Sequence, residues 1–398
     1  MRILFLSQRV PYPPNRGDKI TTWRLVERLG RSHEVRIVAF AHDDGDLDAA
    51  EVLRKMGFPT TAVRYHDRAA KLGALPLLLS RKPLTLGVYG SRAVQAAVDE
   101  LAPDSDLAYA YSSSMGAFLE RHPRLPRIMH FGELDSDKWR QYAQRSRPPM
   151  SWVYAREHRT LLEFERRIAR SFSANVVCTP LEKEILERAI PGATAEVLRN
   201  GVDLAYFVPR WEGREPGRLV FTGVMNYLPN SEGVSWFVRA ILPLVRRQAP
   251  EATLSIVGAH PTPEVRRLAE VPGVEVTGFV PDTRVWLGKA SVSVAPLRIA
   301  RGIQNKVLEA MAMGLPVVGT TCATQGVEGV DGLHFRVRDD PEGFAREVAD
   351  LVREPDKALA LGRAARAFVE AHDDWEVVFR PLDALVARCA GGARPGAR

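Results

Sequence analysis

The sequence predicts an α/β protein built from two doubly wound domains with parallel sheets. Three observations lead there. β-Branched runs alternate with helical patterns along the whole chain, the signature of βαβ units. The alternation breaks off at a loop-rich gap, residues 200–216 (NGVDLAYFVPRWEGREP), and then restarts. The length of 398 residues also exceeds what one core holds, since single cores stop growing near roughly 250 to 300 residues.

In the first half, residues 3–6, 35–40, 61–65, 107–110, 127–130 and 174–178 read as strands. Helices fall between them, notably over 21–29 and 153–170. In the second half, residues 219–222, 253–257, 274–277, 292–295 and 316–319 read as strands, again separated by helices. Gly, Pro and Asp in the gap place the boundary near residue 205, giving domains 1–205 and 206–373 that face a central cleft. Residues 374–390 read as a helix and 391–398 as a disordered tail.

Composition narrows the class. Hydrophobic residues at 45% and charged residues at 26% exclude a disordered, collagenous or coiled-coil chain. Cys178, Cys322 and Cys389 form no CxxC pair and sit in no His-rich cluster, which speaks against a zinc site or disulfide framework and fits a reducing compartment. The chain opens directly on a strand-like run, so no signal peptide is predicted. The longest apolar run, residues 72–79 (LGALPLLL), contains proline and is far short of the ~20 residues that span a bilayer. Together these predict a cytoplasmic protein. The formal net charge of +7 lies wholly in residues 1–200, with 31 Lys and Arg against 24 Asp and Glu, whereas residues 201–398 hold 24 of each. Much of the excess falls between Arg121 and Arg170, interleaved with Trp139, Tyr142, Trp152 and Tyr154. An anionic partner such as a membrane surface and a solvated helix face are equally good readings of it; nucleic acid is not predicted.

Doubly wound sheets bind ligands beyond the carboxyl ends of their strands, so the loops there are where chemistry is sought. The first follows strand one, residues 8–18 (QRVPYPPNRGD), a loop that feeds a helix at Lys19 and whose Gly17 can approach a phosphate closely. Its lack of GxGxxG spacing disfavours a nicotinamide-dependent dehydrogenase. The strongest signal is residues 295–320 (APLRIARGIQNKVLEAMAMGLPVVGT): strand, glycine loop, amphipathic helix, then strand. Gly302 and Ile303 would offer backbone amides to a diphosphate, Lys306 a positive charge one turn in, and Glu309 an acceptor for ribose hydroxyls. An ordinary i,i+3 ion pair explains Lys306 and Glu309 equally well, though not the loop and apolar helix around them. Asp135-Ser136-Asp137 has the look of a DxD metal motif, but paired acids entering a helix are more often caps, and no metal is predicted. His130 closes a strand before that loop, where it would face the cleft as a catalytic residue or serve structure alone.

These segments, with residues 221–230 (FTGVMNYLPN), 255–258 (SIVG), 278–282 (GFVPD), 200–203 (NGVD) and 6–17, resemble the GT-B glycosyltransferases of family 4. Residues 300–318 (ARGIQNKVLEAMAMGLPVV) and 133–139 (ELDSDKW) are similar to the exosortase (PEP-CTERM) system-associated sugar transferases of exopolysaccharide synthesis. The resemblance implies two Rossmann-like domains, a C-terminal helix crossing back to the first, and retaining hexosyl transfer from a nucleotide diphosphate sugar to a glycan or polyprenyl-linked acceptor. No cofactor or essential metal is implied. The donor set it implies is Gly17, Asn230, Phe279, Val280, Arg301, Gly302, Ile303, Gln304, Asn305, Lys306 and Glu309, with Lys306, Glu309 and His130 catalytic. Arg16, Asp135, Lys138 and Trp139 are the acceptor-side candidates, and the inner face of the plasma membrane is the implied location. The family's paired glutamates are separated by seven residues, which puts Arg301 where the first belongs, and its Arg and Lys after the first C-domain strand are replaced by Val224 and Pro229. A nucleotide-sugar epimerase and a catalytically silent sugar-nucleotide-binding protein remain as alternatives.

Overall fold

The computed structural model describes residues 1–300 and 302–391; Arg301 and the tail at 392–398 lie outside the described residues. The chain divides into two compact units, Met1–Leu198 together with the chain from Phe379, and Arg199–Val378. The first holds β1 (Arg2–Ser7), β2 (Glu34–Ala41), β3 (Thr60–Arg64), β4 (Leu107–Tyr111), β5 (Arg127–Gly132), β6 (Ala174–Val177) and β7 (Glu196–Val197). They form one sheet in the order β3-β2-β1-β4-β5-β6-β7, every pairing parallel. The second holds β8 (Arg218–Thr222), β9 (Thr253–Val257), β10 (Val274–Gly278), β11 (Val292–Ala295), β12 (Val317–Gly319) and β13 (Arg336–Val337), ordered β10-β9-β8-β11-β12-β13 and again all parallel.

A parallel sheet is covered by helices on both faces, so its central strands bury every residue instead of alternate ones. Ile3, Leu4, Phe5 and Leu6 of β1 and Leu219, Val220 and Phe221 of β8 are fully buried accordingly. The helices that cover them carry ordinary start signals. Thr179 accepts the amide of Glu182 ahead of Pro180–Ala189, and Asp340 that of Gly343 ahead of Pro341–Arg353, with proline first in each helix.

Three features differ from the sequence reading. The edge strands β7 and β13 are two residues long, too short for any periodicity to show. The units divide at Leu198–Arg199, before residue 205, because the start of the gap is bound into the second unit. There the Val202 amide donates to the Asp373 carbonyl at 2.7 Å, and Arg199 bonds Asp373 at 2.8 Å and Glu328 at 2.6 Å. The C-terminal helical segment is two helices, Trp375–Val378 and Arg380–Gly391. The second returns to the first unit, where Arg28 donates to Asp383 at 2.6 Å and Arg388 pairs with Glu196.

Each sheet reverses its winding direction beside its first strand, between β1 and β4 in one unit and between β8 and β11 in the other. Loops leaving the carboxyl ends of those neighbouring strands diverge to opposite faces and leave a crevice, the usual ligand position in such sheets.

Candidate functional site

In the second unit the loops after β8 and β11 meet at this reversal. Helix Leu228–Trp236, which follows β8, lies so close to the β11 loop that a Cβ on Gly233 would stand 2.6 Å from the Pro296 carbonyl oxygen. The loops after β8 and β9 are equally tight: a Cβ on Gly258, whose φ is +148°, would fall 1.8 Å from the Gly223 carbonyl oxygen. A side chain at 258 has nowhere to go, so glycine there fixes the floor of the crevice.

Past β11 the chain turns through Gly302 at φ +64°, runs through Ile303 and Gln304, and enters helix Asn305–Ala312. Lys306 is therefore in the first turn of the helix, closer to its start than sequence spacing implied. Among the described residues no acceptor meets the amides of Gly302, Ile303, Asn305 or Lys306. Gly302 and Ile303 are nevertheless buried, and the Gly302 carbonyl presses on Gly326, where a Cβ would come within 2.5 Å. Unpaired amides at a helix start, carrying the positive end of its dipole, make a seat for an anion.

Lys306 completes the seat. Its Nζ donates to Asn230 Oδ1 at 2.5 Å and lies 4.9 Å from the centre of the Phe221 ring. Asn230 is held in turn by donating Nδ2 to the Val224 carbonyl at 2.9 Å. Burial lowers the Lys306 pKa to about 8 and raises that of Glu309 to about 7, each charge opposing the other's shift. Lys306 bonds Asn230 across the crevice instead of pairing with Glu309 along the helix, so the simple i,i+3 ion pair is not what forms. Asn305 Oδ1 meets Asn200 Nδ2 at 3.4 Å, which ties the start of the gap to the same helix end. Phe279 and Val280 follow β10 after a bulge; the Phe279 side chain is 74% exposed, while Val280 packs on the core. Arg301 lies outside the described residues. The sequence reading gave no role to Phe221, Gly258 or Gly326, because their contacts cross from strand to strand; the FTG and SIVG runs were the only local trace.

The first unit's reversal point is differently furnished. Gln8 Nε2 donates to Ser114 Oγ and Ser113 Oγ to Asp135 Oδ2, at 2.7 and 2.8 Å. Lys19 forms a buried ion pair with Asp46 at 2.7 Å and donates to the Tyr12 carbonyl at 3.3 Å, which pins the loop before Gly17. Gly17 is the first residue of helix Gly17–Gly30, exposed, with Arg16 bonded to Asp18 at 2.8 Å. His130 does not face outward as expected. It is 1% exposed, its Nδ1 lies 2.7 Å from the Tyr109 hydroxyl, and burial drops its pKa to about 3, leaving a neutral ring. The strand runs on to Gly132 before turning, which keeps His130 inside the sheet.

Asp135 and Asp137 are the first and third residues of helix Asp135–Arg145, past its cap position, which Leu134 occupies without a side-chain bond. The buried carboxylates of Glu165 and Glu182 serve that helix start instead, accepting the Ser136 and Leu134 amides. Asp137 turns back along its helix to Arg140 and Gln141, at 2.6 and 3.0 Å. Lys138 and Trp139 share this helix, with Trp139 stacked on Tyr154 at 5.4 Å.

Comparison with known proteins fits this geometry. Residues 216–354 match the model of the "Glycosyl transferases group 1" family. A phosphatidyl-myo-inositol mannosyltransferase of Propionibacterium freudenreichii subsp. shermanii is 29% identical over 47% of this chain and 49% of its own length. A GDP-mannose-dependent alpha-(1-6)-phosphatidylinositol monomannoside mannosyltransferase of Mycolicibacterium smegmatis is 30% identical over 51% of this chain and 58% of its own. The chain thus spans about half the length of the curated relatives it matches. Among solved structures, sucrose-phosphate synthase from Thermosynechococcus elongatus aligns over 98% of this chain and 100% of its own, with a TM-score of 0.74 and 17% identity. Anabaena HepE in complex with UDP and glucose aligns over the same shares with a TM-score of 0.70 and 14% identity. The fold is that of the GT-B glycosyltransferases, two Rossmann-like α/β units with parallel sheets.

Proposed function

We propose that this chain is a hexosyltransferase that takes a sugar from a nucleotide diphosphate sugar and passes it to a glycan or polyprenyl-linked acceptor. The carrying observation is the group of amides at Gly302, Ile303, Asn305 and Lys306 that meet no acceptor among the described residues, beside the Lys306 ammonium. The diphosphate sits on those amides and on Lys306, Glu309 accepts from the ribose, and the Phe279–Val280 backbone meets the base. As the bond from the sugar's anomeric carbon to the phosphate oxygen breaks, charge grows on the diphosphate, and preorganised donors stabilise it most at that moment. The acceptor oxygen bonds the anomeric carbon, and a diphosphate oxygen on the same face takes its proton, giving retention without a side-chain nucleophile.

On this reading the acceptor is taken by the first unit, near Arg16, Asp135, Lys138 and Trp139, with neutral His130 supporting the loop from beneath. The lipid-linked substrates in the mannosyltransferases' names support a lipid-linked acceptor; a role in exopolysaccharide synthesis alongside an exosortase system and attachment to the cytoplasmic face of an anionic membrane are further parts of this proposal. Titration calorimetry with UDP- and GDP-sugars, followed by acceptor-dependent release of nucleoside diphosphate, tests the proposal. Turnover of donor without any acceptor would indicate epimerisation, and binding without release a silent sugar-nucleotide binder.

A further inference from the structure

The first unit has an edge that sugar transfer does not use. Helix Asp67–Ala74 runs into the turn Leu75–Leu79, and the start of helix Met150–Ser171 is riveted to the chain beyond it. Arg156 donates to the carbonyls of Leu77, Leu78, Ser80 and Lys82, and Glu157 accepts the amides of Leu84 and Thr85 at 2.7 and 2.8 Å. The turn is thus held firmly, with Leu77 and Leu78 half-buried, yet Leu79 is 97% and Leu75 51% exposed, and Leu72 of the preceding helix is 66% exposed. Trp152, one helical turn before Arg156 and so on the same face, is 70% exposed, with Met150 beside it. Single exposed apolar side chains are ordinary, but five on two segments that Arg156 and Glu157 tie together mark an interaction surface.

Apart from Asp67, which pairs with Lys71, and the buried Glu157, the charge around it is positive. Residues 68–98 and 138–156 contain no Asp or Glu. Arg81, Lys82, Arg145 and Arg147 are exposed and have no acidic partner among the described residues. Apolar side chains standing proud of unpaired cations suit a surface that is anionic outside and hydrocarbon just beneath. A protein partner binding through acids alone would leave the leucines in water.

We propose that this edge docks the protein on an anionic lipid bilayer, Leu72, Leu75, Leu79, Met150 and Trp152 entering the interfacial layer while the four cations meet the headgroups. This deepens the membrane attachment proposed above by naming its surface. No helix among the described residues is long and apolar enough to cross a membrane, so the attachment is peripheral and reversible.

The test is sedimentation of the full chain with vesicles of phosphatidylcholine alone or mixed with phosphatidylglycerol, at low and high salt. The protein should pellet with the anionic vesicles only, and high salt should release most of it. Arg81→Gln, Lys82→Gln and Arg147→Gln combined should lower partitioning about a hundredfold, at about 1 kcal/mol for each cation near the surface. Leu79→Ser with Trp152→Ser should lower it about tenfold or more, even at low salt. Both variants change exposed residues and should keep the parent's circular dichroism and nucleotide affinity. Equal binding to neutral vesicles, or none to anionic ones at low salt, would overturn the proposal. So would self-association, seen in sedimentation velocity, that Leu79→Ser with Trp152→Ser abolishes, since the occupant would then be a second copy. Nucleotide binding measured on the same samples separates failure of docking from failure of the sugar-transfer reading.

Discussion

At the carboxyl edge of the second sheet, four backbone amides around Lys306 have no acceptor among the described residues, whereas at the same edge of the first sheet the polar side chains pair with one another. Gln8 holds Ser114, Ser113 holds Asp135, Lys19 holds Asp46, and Glu165 and Glu182 serve the helix start at Asp135. The topology is the same in both units, a parallel sheet reversing beside its first strand. A crevice of that shape can therefore end up either self-satisfied or waiting for a ligand. In the second unit an incoming anion gains hydrogen bonds from amides without first breaking any, beside the Lys306 ammonium, which is why the donor is assigned there.

The sharpest break in this contrast is expected at Gly258. Any side chain there collides with backbone at 1.8 Å and needs an unfavourable φ. Gly258→Ala should cost about 3 kcal/mol or more. Gly73→Ala, in a helix of the first unit with nothing within 4 Å, should be neutral or slightly stabilising. Denaturant unfolding of both variants checks this, and equal midpoints would show that the crevice floor is not rigid.

Lys306→Ala should weaken nucleoside diphosphate binding about ten- to a hundredfold, the worth of a charge-assisted contact of roughly 1.5 to 3 kcal/mol, and leave nucleoside affinity nearly unchanged. Glu309→Gln should weaken nucleosides and diphosphates alike. The same two groups set a pH window. Lys306, with its pKa lowered to about 8, loses its charge as pH rises through 8, and Glu309, raised to about 7, becomes a carboxylate only above 7. Donor affinity measured by calorimetry should peak between those values and fall on both sides. An acid limb that persists in Glu309→Gln would assign that limb elsewhere.

The contrast was only partly readable from sequence. All eleven strands read from β-branched runs exist, because buried parallel strands are continuous apolar runs. Gly302, Lys306 and Glu309 were legible as candidates because they lie close together in sequence, in the loop after a strand and the first turns of the helix that follows. Asn230 is 76 residues from Lys306 and Phe221 lies on another strand, so their meeting is decided by the order of strands in the sheet. For His130 the sequence left a cleft-facing and a structural place open, because a residue near a strand end looks exposed, and only the extra residues to Gly132 and the Tyr109 hydroxyl reveal that it is inside. The unit boundary was misplaced because the bond from Val202 to Asp373 joins segments on opposite sides of the second unit.

His130 gives a smaller effect, confined to the first unit. Its folded pKa of about 3 lies below the ordinary value of 6.5, so between those values the unfolded chain binds a proton that the folded chain does not. Stability should therefore rise with pH across that window and level off above 6.5, by up to about 1.4 kcal/mol per pH unit from this group. Glu165, whose pKa burial raises, acts in the opposite sense, favouring the folded state less as pH climbs past the ordinary carboxyl range. The difference between parent and His130→Gln isolates the histidine. Parallel stability curves for the two from pH 4 to 6.5 would mean that the ring reaches solvent after all.

The smallest expected effect is that of a chelator. In a metal-dependent DxD site both carboxylates converge on one cation with several oxygen ligands. Here they diverge: Asp135 accepts from Ser113, while Asp137 is engaged by Arg140 and Gln141 on its own helix. Pulling both toward a cation would break those bonds and strip Asp137 of its charged partner, a cost of about 1.5 to 3 kcal/mol for the charged contact alone. On the proposed reading the second unit balances the diphosphate with amides and Lys306, neither of which responds to EDTA. Turnover and donor affinity should thus stay within error in EDTA. Activity lost to the chelator and regained with manganese or magnesium would move the charge-balancing role to Asp135 and Asp137 in the first unit, and would erase the difference between the two edges on which the donor assignment rests.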